Sequence, residues 1–126
     1  MKMPLPSRYA DYDTKGHVNN AVYLTYFEMA RHTAWVEQMG GGADFPFIIA
    51  EATVRYVSEA MIGEPLEIEM VTSEVRTKAW VWSYTIRDRR DARVVAEGKT
   101  VQVMYDYANR KTIPIPDAFR AQLLGI

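Results

Sequence analysis

A carboxylate placed just ahead of a helix start is the most chemically suggestive arrangement in this chain. Asp11 and Asp13 are followed by Gly16 and then by His17-Val18-Asn19-Asn20, after which Val22, Tyr23, Tyr26, Phe27 and Ala30 begin a helical pattern. The first turn of a helix leaves backbone N–H groups without intrahelical partners and carries partial positive charge. It is therefore suited to hold a carbonyl oxygen that becomes an oxyanion. An acid and an oxyanion donor would then face each other at the junction of loop and helix.

The whole stretch from Arg8 to Arg31 reads RYADYDTKGHVNNAVYLTYFEMAR. It resembles the hotdog-fold acyl-CoA thioesterases of the 4-hydroxybenzoyl-CoA thioesterase type, whose signature runs R-x-x-D-x-D-x-x-G-H-V-N-N-x-x-Y-x-x-Y-x-E-x-A-R. Arg8, Asp11, Asp13, Gly16, His17, Val18, Asn19, Asn20, Tyr23, Tyr26, Glu28, Ala30 and Arg31 all match it. Length and strand pattern extend the resemblance over nearly the whole chain. It implies an α+β hotdog, a long helix wrapped by a predominantly antiparallel sheet, that hydrolyses an acyl-CoA to free acid and coenzyme A. Hotdog chains pair side by side, so a homodimer or homotetramer with sites at subunit interfaces is expected. Thioesterase action on acyl carrier protein, dehydratase chemistry on the same fold and a non-catalytic acyl-CoA binding module are the alternatives, because fold alone does not decide function.

The resemblance places the functional acid at Asp13, which would activate water or attack the thioester carbonyl. The bland use of an Asp here is an Asx-turn that caps the loop; on the local Asp-x-Asp alone that use is favoured, and the long match reverses the preference. Either mechanism needs the ionised form, so the Asp13 pKa should not be strongly raised. Gly16 would let the backbone approach the thioester, and the N–H of Asn20, more than its side chain, would polarise the carbonyl. His17 invites a general-base role, because the unperturbed pKa of a histidine lies near neutrality, but orienting the loop or lining the pocket mouth is the larger expectation. Asp11 is expected to bond loop backbone or pair with Arg8. No third carboxylate or second nearby histidine stands at ligand spacing, so no metal or other cofactor is expected.

Glu28 and Arg31, three apart on the helix, are expected to form an ordinary ion pair; Glu28 is the reserve acid, since another hotdog clade carries its carboxylate on the helix. Arg76, Lys78, Arg89, Arg90, Arg110 and Lys111 are loop-end cations that could meet the coenzyme A phosphates, with Arg76 and Lys78 taken as substrate-binding candidates. Tyr23 and Tyr56 are also candidates at the substrate, although they, with Trp80 and Trp82, are first of all core and subunit contacts, the default use of aromatic residues in alternating strands.

The chain has 126 residues, 48% of them apolar, which is one domain over 1–126 able to bury a core without disulfides or metal clips. Fifteen Lys and Arg against sixteen Asp and Glu leave a net charge of −1, so no global field draws it to nucleic acid or an anionic membrane. The absence of cysteine excludes a thiol nucleophile. No stretch has the apolar length of a signal or a membrane span, and a soluble cytoplasmic protein follows as the default.

The elements that must position the loop are also legible. Apolar residues at helical spacing predict a helix over 20–39, roughly 30 Å long, with Asn19 or Asn20 as N-cap and Gly40-Gly41-Gly42 as its stop. The first residues form a short, proline-rich run, and the family resemblance implies a short edge strand near Leu5 to Tyr9. The period then becomes two. Ile48, Ala50, Ala52, Val54 and Tyr56 form one apolar face, Leu66, Ile68 and Met70 a second, and Trp80, Trp82, Tyr84 and Ile86 a third. Arg93 to Tyr105 forms a strand long enough to need twist or a bulge. Turns at 76–78 and 88–91 predict antiparallel hairpins, and the one long amphipathic helix must cover the apolar sheet face. Ala96, Gly98 and Thr100 offer a small-residue face for close helix packing. The tail carries Pro114 and Pro116, then a short helix capped at Asp117 with Phe119, Leu123 and Leu124 toward the body.

Overall fold

A computed structural model describes residues 1–126. Helix α1 (Val22–Thr33) lies against an antiparallel sheet made of β1 (Lys2–Leu5), β2 (Phe47–Tyr56), β3 (Leu66–Val75), β4 (Ala79–Asp88) and β5 (Val94–Asp106), in the order β1-β3-β4-β5-β2. A two-residue strand β6 (Lys111–Thr112) pairs with the end of β5, and α2 (Asp117–Leu123) closes the chain. This is the long helix on a curled antiparallel sheet that the sequence predicts. No helix is long and apolar enough to cross a membrane.

The hairpins form where the charged turns stand: Arg76 N–H donates to Ala79 O at the β3–β4 turn, and Asp88 N–H to Arg93 O at the next. Leu66, Ile68, Met70, Trp80, Trp82, Tyr84 and Ile86 are all buried, so the period-two reading of β3 and β4 holds. Against β4, Ile86 pairs with Ala96 and Arg87 with Val94, which leaves Val95 as the extra residue of a bulge in the long β5.

The helix is continued by a π-helical turn, Ala34–Gln38, in place of a regular α-helix to residue 39. The wider turn follows from the glycines beyond it. Gly41 N–H donates to Trp35 O and the Trp35 indole N–H to Gly42 O, and a Cβ on Gly41 would stand 1.9 Å from the Trp35 ring. At the other end the helix starts at Val22, later than expected, with Ala21 rather than Asn19 or Asn20 as its N-cap and no side-chain cap bond; Asn19 Oδ1 instead accepts the Ala21 N–H at 3.0 Å in the turn before the helix.

Three expectations shift. The edge strand is Lys2–Leu5, because Arg8 and Asp11 close a 3-10 turn over Tyr9–Asp11. On β2, Ile49 pairs with Gln102 and Glu51 with Val101, so Ala50 is an extra residue that flips the pleat. The helix-facing set is then Phe47, Ile49, Ala52, Val54 and Tyr56, opposite Met104, Gln102, Thr100, Gly98 and Ala96, and Ile48 and Ala50 drop out of it. In the tail, Phe119 and Leu123 are buried as expected, whereas Leu124 is 74% exposed and Asp117 lies in the first turn after the N-cap Pro116.

Gly98 lets the helix sit close. The Phe27 ring stacks on Tyr84 at 4.3 Å, and a Cβ on Gly98 would meet Phe27 Cε2 at 2.4 Å and the Thr53 carbonyl oxygen at 2.5 Å. Gly98→Ala should therefore cost about 1–3 kcal/mol of stability, read as a lower urea midpoint with unchanged m. An unaltered midpoint would mean that Phe27 moves away freely.

Candidate active site

The loop ahead of α1 is built on Asp11, 1% exposed. Its Oδ1 accepts from Arg8 Nε (3.1 Å) and Nη2 (2.9 Å), and its Oδ2 from the Arg8 N–H (2.8 Å) and the Tyr26 hydroxyl (3.1 Å). Burial pushes the Asp11 pKa up, but the bonds from Arg8 and Tyr26 outweigh it and hold the carboxyl below its ordinary value. Asp11 O also accepts the Asn19 N–H. Arg8, Asp11 and Tyr26 thus fasten the loop to the helix, as the expected Arg8–Asp11 pairing required.

Asp13 sits on the exposed tip. Its Oδ1 accepts the Lys15 N–H at 2.9 Å and the His17 N–H at 3.0 Å, while Oδ2 accepts no hydrogen bond from the protein. The bond from the His17 N–H has the largest effect and lowers its pKa; desolvation opposes it, the Lys15 N–H adds to the lowering, and the carboxylate is ionised at neutral pH. The Asx-turn geometry is real and uses one oxygen only. Gly16, at φ +77°, closes the turn by donating to Asp13 O, and its own carbonyl accepts the Ile62 N–H. It does not line the cavity.

Asp13, His17, Asn20, Tyr23 and Tyr56 do line one cavity, a depression of about 380 Å³ shared with Val18 and residues 57–60. His17 stands with Nε2 3.5 Å from Glu59 Oε2, at the rim. The Asn20 N–H has no acceptor within the chain, and the Asn20 carbonyl accepts the Tyr56 hydroxyl at 2.9 Å. Tyr23 is buried beneath, its ring edge-on to Tyr56, and burial, the neighbouring Tyr56 and Glu64 push its phenol up to about 12.

The far wall, Ser58 to Ala60, has no sequence signal of its own, and sequence reasoning misses it. It is held by Arg93, whose Nη1 donates to Ser58 Oγ (2.6 Å) and Glu59 O (2.7 Å) and whose Nη2 meets Glu64 (2.9 Å). Asp88, with no exposed surface, anchors the same cluster through Arg90 and Arg93. The Arg90 side-chain and backbone bonds bring the Asp88 pKa down from 3.8 to about 2. Because the unfolded chain binds this proton more readily than the folded one, the contribution of Asp88 to stability is complete above pH 3.8 and is lost as the pH falls through about 2. An acid titration followed by circular dichroism should unfold wild type over that window, and Asp88→Asn should remove the part of the pH dependence that belongs to it.

Arg76 and Lys78 do not line the depression. They occupy the turn at the opposite end of the ten-residue β4, roughly 30 Å from the Asp88 end at the usual rise per residue, and Arg76 is engaged by Glu74 at 2.8 Å. Nor do Glu28 and Arg31 pair with each other. Arg31 Nη1 reaches the Tyr84 hydroxyl at 3.4 Å, part of a buried polar chain through Thr100 and Gln102. Both line a separate hollow of about 260 Å³ with His32, Phe45, Phe47 and Ile49.

The family model described as the thioesterase-like superfamily matches residues 7–123. The chain belongs to that superfamily. It is 24% identical over 126 residues to the acyl-CoA thioester hydrolase YbgC of Escherichia coli O6:H1, covering 96% of this chain and 93% of the relative. Among solved structures, the PA5185 protein from Pseudomonas aeruginosa superposes with a TM-score of 0.90 at 20% identity, over 99% of this chain and 90% of that one. A thioesterase from Thermus thermophilus, solved with coenzyme A and Zn, superposes with a TM-score of 0.84 at 24% identity, over 97% and 95%. These likenesses bear out the hotdog fold and the family resemblance carried by residues 8–31 of the sequence.

Proposed function

We propose that this protein is an acyl-CoA thioesterase that hydrolyses its substrate to free acid and coenzyme A at the depression beside the start of α1. One observation carries the reading. Asp13, whose ionised carboxylate has an oxygen without a partner, and Asn20, whose backbone N–H has no acceptor, are both lining residues of the same cavity. The similarity to a relative named as an acyl-CoA thioester hydrolase supports the choice of thioester.

In this mechanism the thioester oxygen lies against the Asn20 N–H at the positive end of the helix. Asp13 Oδ2 takes a proton from water as the water oxygen attacks the carbonyl carbon, and the tetrahedral oxyanion forms on the donor side. Collapse breaks the C–S bond, and the thiolate leaves with the proton returned from Asp13. Direct attack by Oδ2, giving an acyl-Asp13 anhydride that water then opens, uses the same groups. His17, held at the rim by Glu59, orients the loop.

The site is completed by a second copy. Strand β2 is a ten-residue edge whose outer ladder has no partner, and Ile49 and Tyr56 on its helix-facing side are 42% and 53% exposed. An edge of that length calls for a neighbouring strand, and side-by-side pairing would continue the sheet. For the coenzyme A phosphates, Arg89 lies at the cavity end of the sheet and makes no ion pair, while Arg90 and Arg93 are committed to Asp88 and Glu64. Arg76 and Lys78 can serve only a site that another copy brings to them.

The test is a hydrolysis screen of purified protein over short, medium, long and aromatic acyl-CoAs, with acyl carrier protein thioesters as a separate arm. Turnover of at least one acyl-CoA is expected. Tight binding without turnover of any would contradict the proposal and favour a binding module.

A further inference from the structure

Asn20 makes one hydrogen bond in the fold, and it comes from Tyr56 on a distant strand. The peptide that follows Asn20 is gripped at both ends: its carbonyl accepts the Tyr56 hydroxyl at 2.9 Å, and its N–H, that of Ala21, donates to Asn19 Oδ1 at 3.0 Å. The peptide that precedes it is gripped at its carbonyl, where Asn19 O accepts the Val22 N–H at 2.9 Å. With three of the four polar groups of these two peptides engaged, the remaining one, the Asn20 N–H, is left with a fixed direction and no internal acceptor.

The bonds to Asn19 are local to the turn. The one from Tyr56 is not. It ties the turn to the end of β2, where Tyr56 stands opposite Ala96 and its ring packs edge-on against the buried Tyr23 at 5.4 Å. A phenol held by ring packing on one side and by a carbonyl on the other makes a stiff strut, because two torsions fix the hydroxyl.

We infer that Tyr56 is a positioning residue, whose hydroxyl, acting through the Asn20 carbonyl, aims the Asn20 N–H at the developing oxyanion. This assigns Tyr56 a role different from direct substrate binding, and it rests on the proposed function for the identity of the oxyanion. A donor that is preorganised stabilises charge without reorganising at the moment of reaction, so loosening it costs transition-state stabilisation and leaves ground-state binding untouched.

Tyr56→Phe keeps the ring and its packing on Tyr23 and removes only the strut's end. With the best acyl-CoA, kcat should fall by about 10- to 100-fold, less than the full loss of an oxyanion donor, while KM stays within about two-fold. Hydrogen exchange of the Ala21 amide should quicken in the same variant, a readout that needs no turnover. A raised KM at unchanged kcat would make Tyr56 a substrate contact and overturn the inference, as would unchanged kcat with unchanged exchange. Should wild type hydrolyse no thioester, the functional proposal fails by itself, and the exchange measurement still decides whether Tyr56 holds the turn: quicker exchange supports the strut and unchanged exchange overturns it.

Discussion

Ile49→Lys should convert the protein from an oligomer to a folded monomer and lower acyl-CoA turnover by about 100-fold or more. Ile49 points to the helix side of β2 yet stands 42% exposed, so the apolar strip on that side runs out past the helix with nothing in the chain to cover it. A lysine on a strand edge is a device by which proteins prevent strand addition, and burying its unpaired charge between two copies costs several kcal/mol. In the monomer the same side chain faces water, so the fold should survive. Light scattering at micromolar concentration, with circular dichroism as the fold check, reads the assembly; a variant that stays dimeric and fully active would remove β2 from the interface and the partner from the site.

How much of this was legible depended on which physical signal carried it. The motif from Arg8 to Arg31 disclosed its division of labour only in three dimensions: Arg8, Asp11 and Tyr26 build the loop, whereas Asp13 and Asn20 present the uncommitted groups. The strands β3 and β4 could be read because large apolar residues alternate with polar ones on a half-buried sheet. The bulge at Ala50 could not, since Ile48 and Ile49 are both apolar and either could face the helix; the choice is made by pairing with β5. The π-helical turn depends on Trp35 folding back over Gly41, a tertiary contact that helical spacing does not encode. Likewise Arg76 and Lys78 announce a hairpin but not the end of the sheet on which it falls. The wall at Ser58 and Glu59 is set by Arg93, 35 and 34 positions away along the chain.

Asp13→Asn is the second large effect. Asparagine retains an oxygen to accept the Lys15 and His17 N–H groups that now bind Oδ1, so the turn should keep its shape. What is lost is the negative charge on the oxygen that has no other partner. In the proposed mechanism the Asn20 N–H would still polarise the carbonyl, so KM should hold while kcat falls by about 10²- to 10⁴-fold, the range for losing a positioned acid–base group; a larger loss would favour covalent attack. Because the Asp13 pKa is lowered from 3.8, its protonation in the free enzyme should not limit kcat/KM until the pH drops below that value.

The rival acid is Glu28, which faces the other hollow with Arg31, His32 and the phenylalanines of the β2 end. Turnover of one acyl-CoA by purified Asp13→Asn and Glu28→Gln, side by side and both shown to be folded oligomers, is the measurement that bears most directly on the site. The account predicts that Asp13→Asn loses at least about 10²-fold in kcat and that Glu28→Gln stays close to wild type. An inactive Glu28→Gln beside an active Asp13→Asn would place the chemistry on the helix and contradict it.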